Sequence, residues 1–276
     1  MVAPAGVARL VLRGYARLMS TDSLSYRSTG NGPLAVFLHG FPMDHRLWDQ
    51  VVAHLGGLRR CVAVDLPGCG ASSMDGASSI DEIADRVASL IAELGEAADV
   101  VGFSMGGYVQ LALYERHPQT VRSLALMDTR SEADTEEGRA GRMALIQEVE
   151  ASGVGGLADR LAEGLPSAAA APWVKRRIRT MAEDSPRSGV AAALHAMAYR
   201  PDRTALLGSI SVPVLVLVGS EDELTPPEGA RRMAGAVPGA SFVEVPGAGH
   251  VPPLERPSAV VEALREFWKS GGSPGL

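Results

Sequence analysis

From Leu34 onward the chain alternates short apolar runs with longer stretches whose apolar residues return every three or four positions. The runs PLAVFLHG (33–40), RCVAVDLPG (60–68), ADVVGF (98–103), VRSLALMD (121–128), VPVLVLVGS (212–220) and SFVEVPG (241–247) are short, apolar and bounded by turn residues, so they predict strands. Between them, DHRLWDQVVAHLG (44–56) sets Leu47, Trp48, Val51, Val52 and Leu55 on one helical face. IDEIADRVASLIAEL (80–94) does the same with Ile80, Ile83, Ala84, Val87, Leu90, Ile91 and Leu94, and Asp81 near its start suits the positive end of a helix dipole. YVQLALYERHP is a further helix closed by Pro118, and PSAVVEALREFWKS (257–270) a terminal one. Continuous Val/Leu runs, each followed by a helix, imply an α/β fold: a mostly parallel central sheet with helices on both faces.

The alternation stops between about 131 and 205. That span offers helical stretches, GRMALIQEVEAS, LADRLAEGL, PWVKRRIRTMAED and SGVAAALHAMAY, punctuated by Gly153, Gly155, Gly156, Pro166, Pro172 and Pro186. A crossover between parallel strands needs only one helix. A block of this size is therefore expected to be a helical cap inserted over the carboxyl edge of the sheet. The organisation read from the chain is an extension over 1–21, a core in two parts, 22–130 and 206–276, and the cap over 131–205. In the extension, Arg9, Arg13 and Arg17 recur at helical spacing and no acid precedes Asp22. Arg13 divides the apolar stretch a secretory signal would need, so the expectation is a dispensable leader with a start at Met19.

The stretch ADVVGFSMGGYVQLA (98–112) passes from strand to helix at one serine. A nucleophile must stand clear of the sheet for a carbonyl carbon to reach it, and an abrupt strand-to-helix turn presents it. Such a turn crowds backbone against side chain, and Gly102 and Gly106, two residues either side of Ser104, remove the colliding Cβ atoms. At the start of a helix the Met105 N–H is placed to meet an oxyanion. A histidine and an acid should then follow. Asp222 lies just past the apolar run 212–220, ahead of Pro226 and Pro227, and His250 lies in the Gly/Pro-rich VPGAGHVPPLERP. The order Ser, Asp, His at the carboxyl ends of parallel strands is the order such a triad requires. Glu221, Glu223 and Asp128 are rival acids. A second oxyanion donor belongs in HGFPMD (39–44), where Phe41 has an N–H and Pro42 has none. His39 reads as a backbone-bonding residue of a buried turn, and His45, His54, His117 and His195 as structural or solvated. Cys69 has no basic neighbour to activate it.

Composition narrows the field only slightly. Over 276 residues the net charge is −6, which offers no electrostatic footprint for nucleic acid or an anionic membrane. No apolar run approaches the roughly 20 residues of a membrane span. Two cysteines, Cys61 and Cys69, make neither a disulfide framework nor a zinc site, and a reducing cytoplasm is the simplest setting. No metal or organic cofactor is called for, and oligomeric state is left open.

On HGFPMD, DLPGCGAS, GFSMGG, GSEDELTPP and GAGHVPPLERP, in that order, the chain resembles the α/β-hydrolase fold superfamily over about residues 23–270. Within it, the sequence looks most like small bacterial carboxylesterases and 3-oxoadipate enol-lactonases, whose cap is a set of four helices. The resemblance implies ester hydrolysis by Ser104, His250 and Asp222 through an acyl-enzyme, with Phe41 and Met105 as oxyanion donors. Serine in the turn disfavours the members that use an aspartate nucleophile. Trp48 and Trp173 are candidate pocket residues, and the cap residues Leu157, Leu161, Met181 and Met197 candidate roof residues, each competing with plain helix packing. Three alternatives stand beside the esterase. One is a lactonase for a small carboxylated enol-lactone, anchored by a cation among Arg130, Lys175, Arg176 and Arg177. The others are a cofactor-free perhydrolase or haloperoxidase, and a hydrolase-fold ligand receptor with slow turnover.

Overall fold

A computed structural model describes residues 24–72 and 79–271. The extension read over 1–21 lies outside them. Among the described residues, seven strands form one sheet: β1 (Tyr26–Thr29), β2 (Leu34–Leu38), β3 (Arg60–Val64), β4 (Ala98–Phe103), β5 (Val121–Met127), β6 (Val214–Gly219) and β7 (Ser241–Val245). Their order is β1-β3-β2-β4-β5-β6-β7, and every pairing is parallel except β1 with β3. The helices are α1 (Asp49–Leu55), α2 (Ile80–Leu94), α3 (Met105–Arg116), α4 (Glu136–Ser152), α5 (Gly155–Gly164), α6 (Pro172–Asp184), α7 (Arg187–Ala198), α8 (Pro227–Ala236), α9 (Pro252–Glu255) and α10 (Pro257–Lys269). The predicted helix over 44–56 is divided, with a 3₁₀ turn at His45–Trp48 before α1.

Strands β2 and β6 are buried on both faces, with alternate residues turned to opposite layers. Leu34, Val36 and Leu38, with Val214, Val216 and Val218, face α2, α3 and α8, whereas Ala35, Phe37, Leu215 and Leu217 face α1 and α10. Local chemistry sets the ends. The Ser79 hydroxyl accepts the Glu82 N–H at 3.2 Å to open α2, and Gly95, at φ 90°, closes it in the left-handed conformation. Prolines occupy the first turn of α6, α8 and α10, where a missing N–H is harmless.

Between β5 and β6 the chain is helical, with α4 packed on α7 and α5 on α6. This block touches the loops that leave the carboxyl ends of the strands. His250 N–H donates to the Leu165 carbonyl at 2.7 Å, Ser185 Oγ donates to the Pro42 carbonyl, and Asp184 pairs with Arg46. Arg200 fastens the far side: it pairs with Asp134 at 2.6 Å and lies 4.1 Å over the Tyr108 ring of α3. Sheet order reverses between β2 and β4, so the loops after those two strands flank the crevice where ligands of open α/β sheets bind.

Candidate active site

Four loops meet at that crevice. Ser104 follows β4 directly, with φ 51° and ψ −112°, and its N–H donates to the Met127 carbonyl at 2.9 Å. The turn closes because its neighbours lack side chains. A Cβ on Gly102 would lie 2.6 Å from the Gly106 carbonyl oxygen, and one on Gly106 would strike the Leu38 carbonyl. The Thr129 hydroxyl donates to the Ser104 carbonyl at 2.8 Å and braces the turn from β5. Sequence reasoning missed Thr129, since only the pairing of β4 with β5 brings it there.

The three candidate side chains come together in one line. His250 Nε2 lies 3.0 Å from Ser104 Oγ, and His250 Nδ1 lies 2.8 Å from Asp222 Oδ2. Histidine and aspartate are both 3% exposed, while Ser104 is half-buried at the surface of the site. Asp222 is also held by the N–H groups of Leu224 and Thr225 on Oδ1 and by the Thr225 hydroxyl on Oδ2. Burial works to raise its carboxyl, but the hydrogen bond and charge of His250, with those from Thr225, hold it well below the usual carboxylate range. The flanking Glu221 and Glu223 point to solvent. Asp128, the other rival, is buried beside Asp222 rather than against the imidazole nitrogen that Asp222 occupies.

The histidine loop has its own clamp. Glu255 Oε1 accepts the N–H groups of Gly249 and Val251 at 3.0 and 3.2 Å, and its Oε2 accepts that of Ser167 at 2.8 Å. A buried glutamate five residues after the histidine, in a loop rich in glycine and proline, was the available signal. Phe41 and Met105, the candidate oxyanion donors, lie in the segments that border Ser104. Met105 opens α3, so its N–H precedes the first intrahelical bond. The Phe41 loop adjoins Ser104, for a Cβ on Gly40 would lie 3.0 Å from Ser104 Cβ.

Other expectations fare differently. His39 is buried, takes the Leu66 N–H on Nε2 at 2.9 Å, and burial lowers its pKa. Trp48 has no exposed surface and packs on Phe37 with ring centroids 5.3 Å apart, so the candidate pocket residue is a core residue instead. Trp173 is 38% exposed and lines an outer cleft with Arg46, Asp49, Gln50, Arg177 and Leu254. Leu157, Met181 and Met197 are buried in helix packing. Lys175 and Arg177 are engaged by Glu163 and Asp49, and Arg130 donates to the Leu224 carbonyl beside the acid loop. Both cysteines are free and buried, and burial pushes each thiol up to about 12.

Among the described residues, two clusters have atoms close enough to share a metal ion, Asp44–His45–Asp65 and Asp128–Asp222–His250. In the first, Arg46 grips Asp44 while His45 and the Ala71 N–H bind Asp65. In the second, the His250 nitrogen nearest the acids is already bonded to Asp222.

Residues 35–263 match the alpha/beta hydrolase family. The chain belongs to that family. This alpha/beta hydrolase is 36% identical to a thermophilic esterase from Thermogutta terrifontis, solved with malate bound, at a TM-score of 0.87 covering 91% of this chain and 94% of that one. It is 32% identical, over 252 residues, to the pimeloyl-[acyl-carrier protein] methyl ester esterase of Chromobacterium violaceum, covering 88% of this chain and 97% of that protein. The enol-lactonase from Burkholderia xenovorans LB400 is 27% identical at a TM-score of 0.82, covering 89% and 96%. Family and esterase-named relatives together support a hydrolase. Among the described residues of this alpha/beta hydrolase, no helix is long and apolar enough to cross a membrane.

Proposed function

We propose that the chain is a serine hydrolase that cleaves small carboxylic esters through an acyl-enzyme, with Ser104 as nucleophile, His250 as general base and acid, and Asp222 as the carboxylate that orients the ring. The observation that carries this reading is the continuous relay of 3.0 and 2.8 Å from hydroxyl to imidazole to carboxylate. Asp222 fixes the ring proton on Nδ1, which leaves Nε2 to accept the hydroxyl hydrogen of Ser104. As that hydrogen moves, Oγ attacks the ester carbonyl carbon and the carbonyl oxygen takes the charge, stabilised by the N–H groups of Phe41 and Met105. The imidazolium returns its proton to the departing alkoxide, which leaves as the alcohol. A water then gives its proton to Nε2 and attacks the acyl carbon; the bond to Oγ breaks, the imidazolium returns the proton to Ser104, and the acid leaves. Residues 22–130 and 206–276 form the catalytic core on this reading, and the helices of 131–205 a cap that limits entry to the crevice. Free buried cysteines suit the reducing cytoplasm.

Purified protein should release p-nitrophenol from the acetate and butyrate esters. Ser104→Ala should lower kcat about 10⁴-fold or more while the protein stays folded by circular dichroism. Wild-type protein with no release above the Ser104→Ala background would remove the esterase reading. The lactonase is the second reading, favoured by the guanidinium of Arg130 on the Leu224 carbonyl two residues past Asp222. A kcat/KM for a small carboxylated lactone well above that for p-nitrophenyl butyrate, lost in Arg130→Ala, would select it.

A further inference from the structure

Asp128 is the buried acid that the ester chemistry leaves unused. It directly follows β5, with a left-handed backbone at φ 45°, and is 1% exposed. Its Oδ1 accepts the Gly219 N–H at 2.8 Å. Its Oδ2 is sealed from solvent, and among the described residues no N–H or O–H reaches it. What lies beside it is another carboxyl: side-chain atoms of Asp128, Asp222 and His250 fall within 4.8 Å of one another. Two carboxylates this close and this dry do not both ionise. Asp222 collects the donors, from Leu224, Thr225 and the imidazole, so the charge belongs on Asp222 and the proton on Asp128. Burial, then the charge of Asp222, push the Asp128 carboxyl well above the ordinary range; Glu255 adds to this and the Gly219 N–H opposes it.

We propose that Asp128 is a positioning residue, a neutral acid that turns its O–H on the Asp222 carboxylate so that His250 faces one negative charge rather than two. A second charge would stabilise the imidazolium and leave less of the free base that must take the Ser104 proton. The functional half of this inference rests on the triad reading; the protonation state of Asp128 does not.

Two measurements on the full chain test it. Infrared difference spectra at pH 8 should show a protonated-carboxyl stretch in wild type and in Ser104→Ala that is lost in Asp128→Asn; wild type without that band overturns the proposal. Asp128→Asn keeps an acceptor for Gly219 and replaces the O–H donor with N–H. Its acidic limb of kcat/KM should therefore stay within about 0.3 pH unit of wild type. If Asp128 were charged in wild type, the same variant would lower that limb by about one unit or more, which also overturns it. Asp128→Ala, without a donor, should lose about tenfold in kcat with little change in KM, and unchanged kcat counts against positioning. Should wild type show no Ser104-dependent turnover, the esterase reading falls while the infrared band still decides the state of Asp128.

Discussion

Ser104 and Asp128 directly follow the neighbouring strands β4 and β5, and both have positive φ without being glycine. Backbone of this kind costs about 1–3 kcal/mol and persists where surrounding contacts enforce it. The requirement at Ser104 is local, glycines two residues either side, so the sequence shows it outright. At Asp128 the sequence shows only an acid after a strand; its contact with Asp222 is made to a loop more than ninety residues later. Its consequence is a pH dependence of stability. In the unfolded chain Asp128 ionises near the usual value of about 3.9. In the folded chain its value is raised, so above pH 4 the native state holds a proton that the unfolded state has lost. Asp128 therefore withdraws stability as pH rises, by up to about 1.4 kcal/mol per unit. Asp222 has the opposite sign: its folded value is lowered, so its contribution is complete above the unfolded value and fades as pH falls below it. Asp128→Asn removes only the first effect. Urea denaturation between pH 4 and pH 7 should find this variant gaining steadily on wild type, and a difference independent of pH would contradict a neutral Asp128.

At the scale of elements, the readable ones were those buried on a consistent face. Strands β2 to β7 announce themselves as apolar runs, and α2 by its stripe. The edge strand β1, YRST, is polar and only half-buried; it pairs antiparallel with β3 and carries no apolar signal of its own. The short α9 was equally hidden, because VPPLE reads as a proline-rich loop. Yet α9 carries Glu255, which gathers three backbone N–H groups around His250. Glu255→Gln replaces one acceptor oxygen with a donor that meets another donor. Leaving a buried N–H unpaired costs about 1–3 kcal/mol, so the midpoint of urea unfolding should fall accordingly. Because the loosened loop carries the imidazole, kcat should fall more than KM rises, whereas a loss of stability with unaltered kcat would make Glu255 a purely structural clamp.

For the whole molecule, one-dimensional pattern could separate the helical block from the sheet but not say which apolar residues border a ligand. Trp48 and Trp173 both looked like pocket residues; one is sealed against Phe37 and the other lies in an outer cleft. Distinguishing core from crevice requires the seam where helices 136–198 meet the strand-end loops, and that seam is tight. A Cβ on Gly189 of α7 would strike the Gly68 carbonyl of the loop after β3, backbone against helix with no flexible side chain to yield. Behind it, Arg200 and Arg203 tie the block down, the latter to Asp81 at 2.6 Å and Glu115 at 3.0 Å. Gly189→Val would therefore force the block away from the crevice rather than tilt one side chain. Overpacking of this kind costs about 1–3 kcal/mol. The same block holds the His250 loop, through the Leu165 carbonyl on the His250 N–H and the Ser167 N–H on Glu255, so the lost seam loosens the imidazole as well as opening the crevice to water. In p-nitrophenyl ester assays Gly189→Val should lower kcat for both esters and raise KM severalfold, with the rise in KM larger for butyrate than for acetate. An equal effect on the two esters would mean that the helical block does not reach the acyl chain.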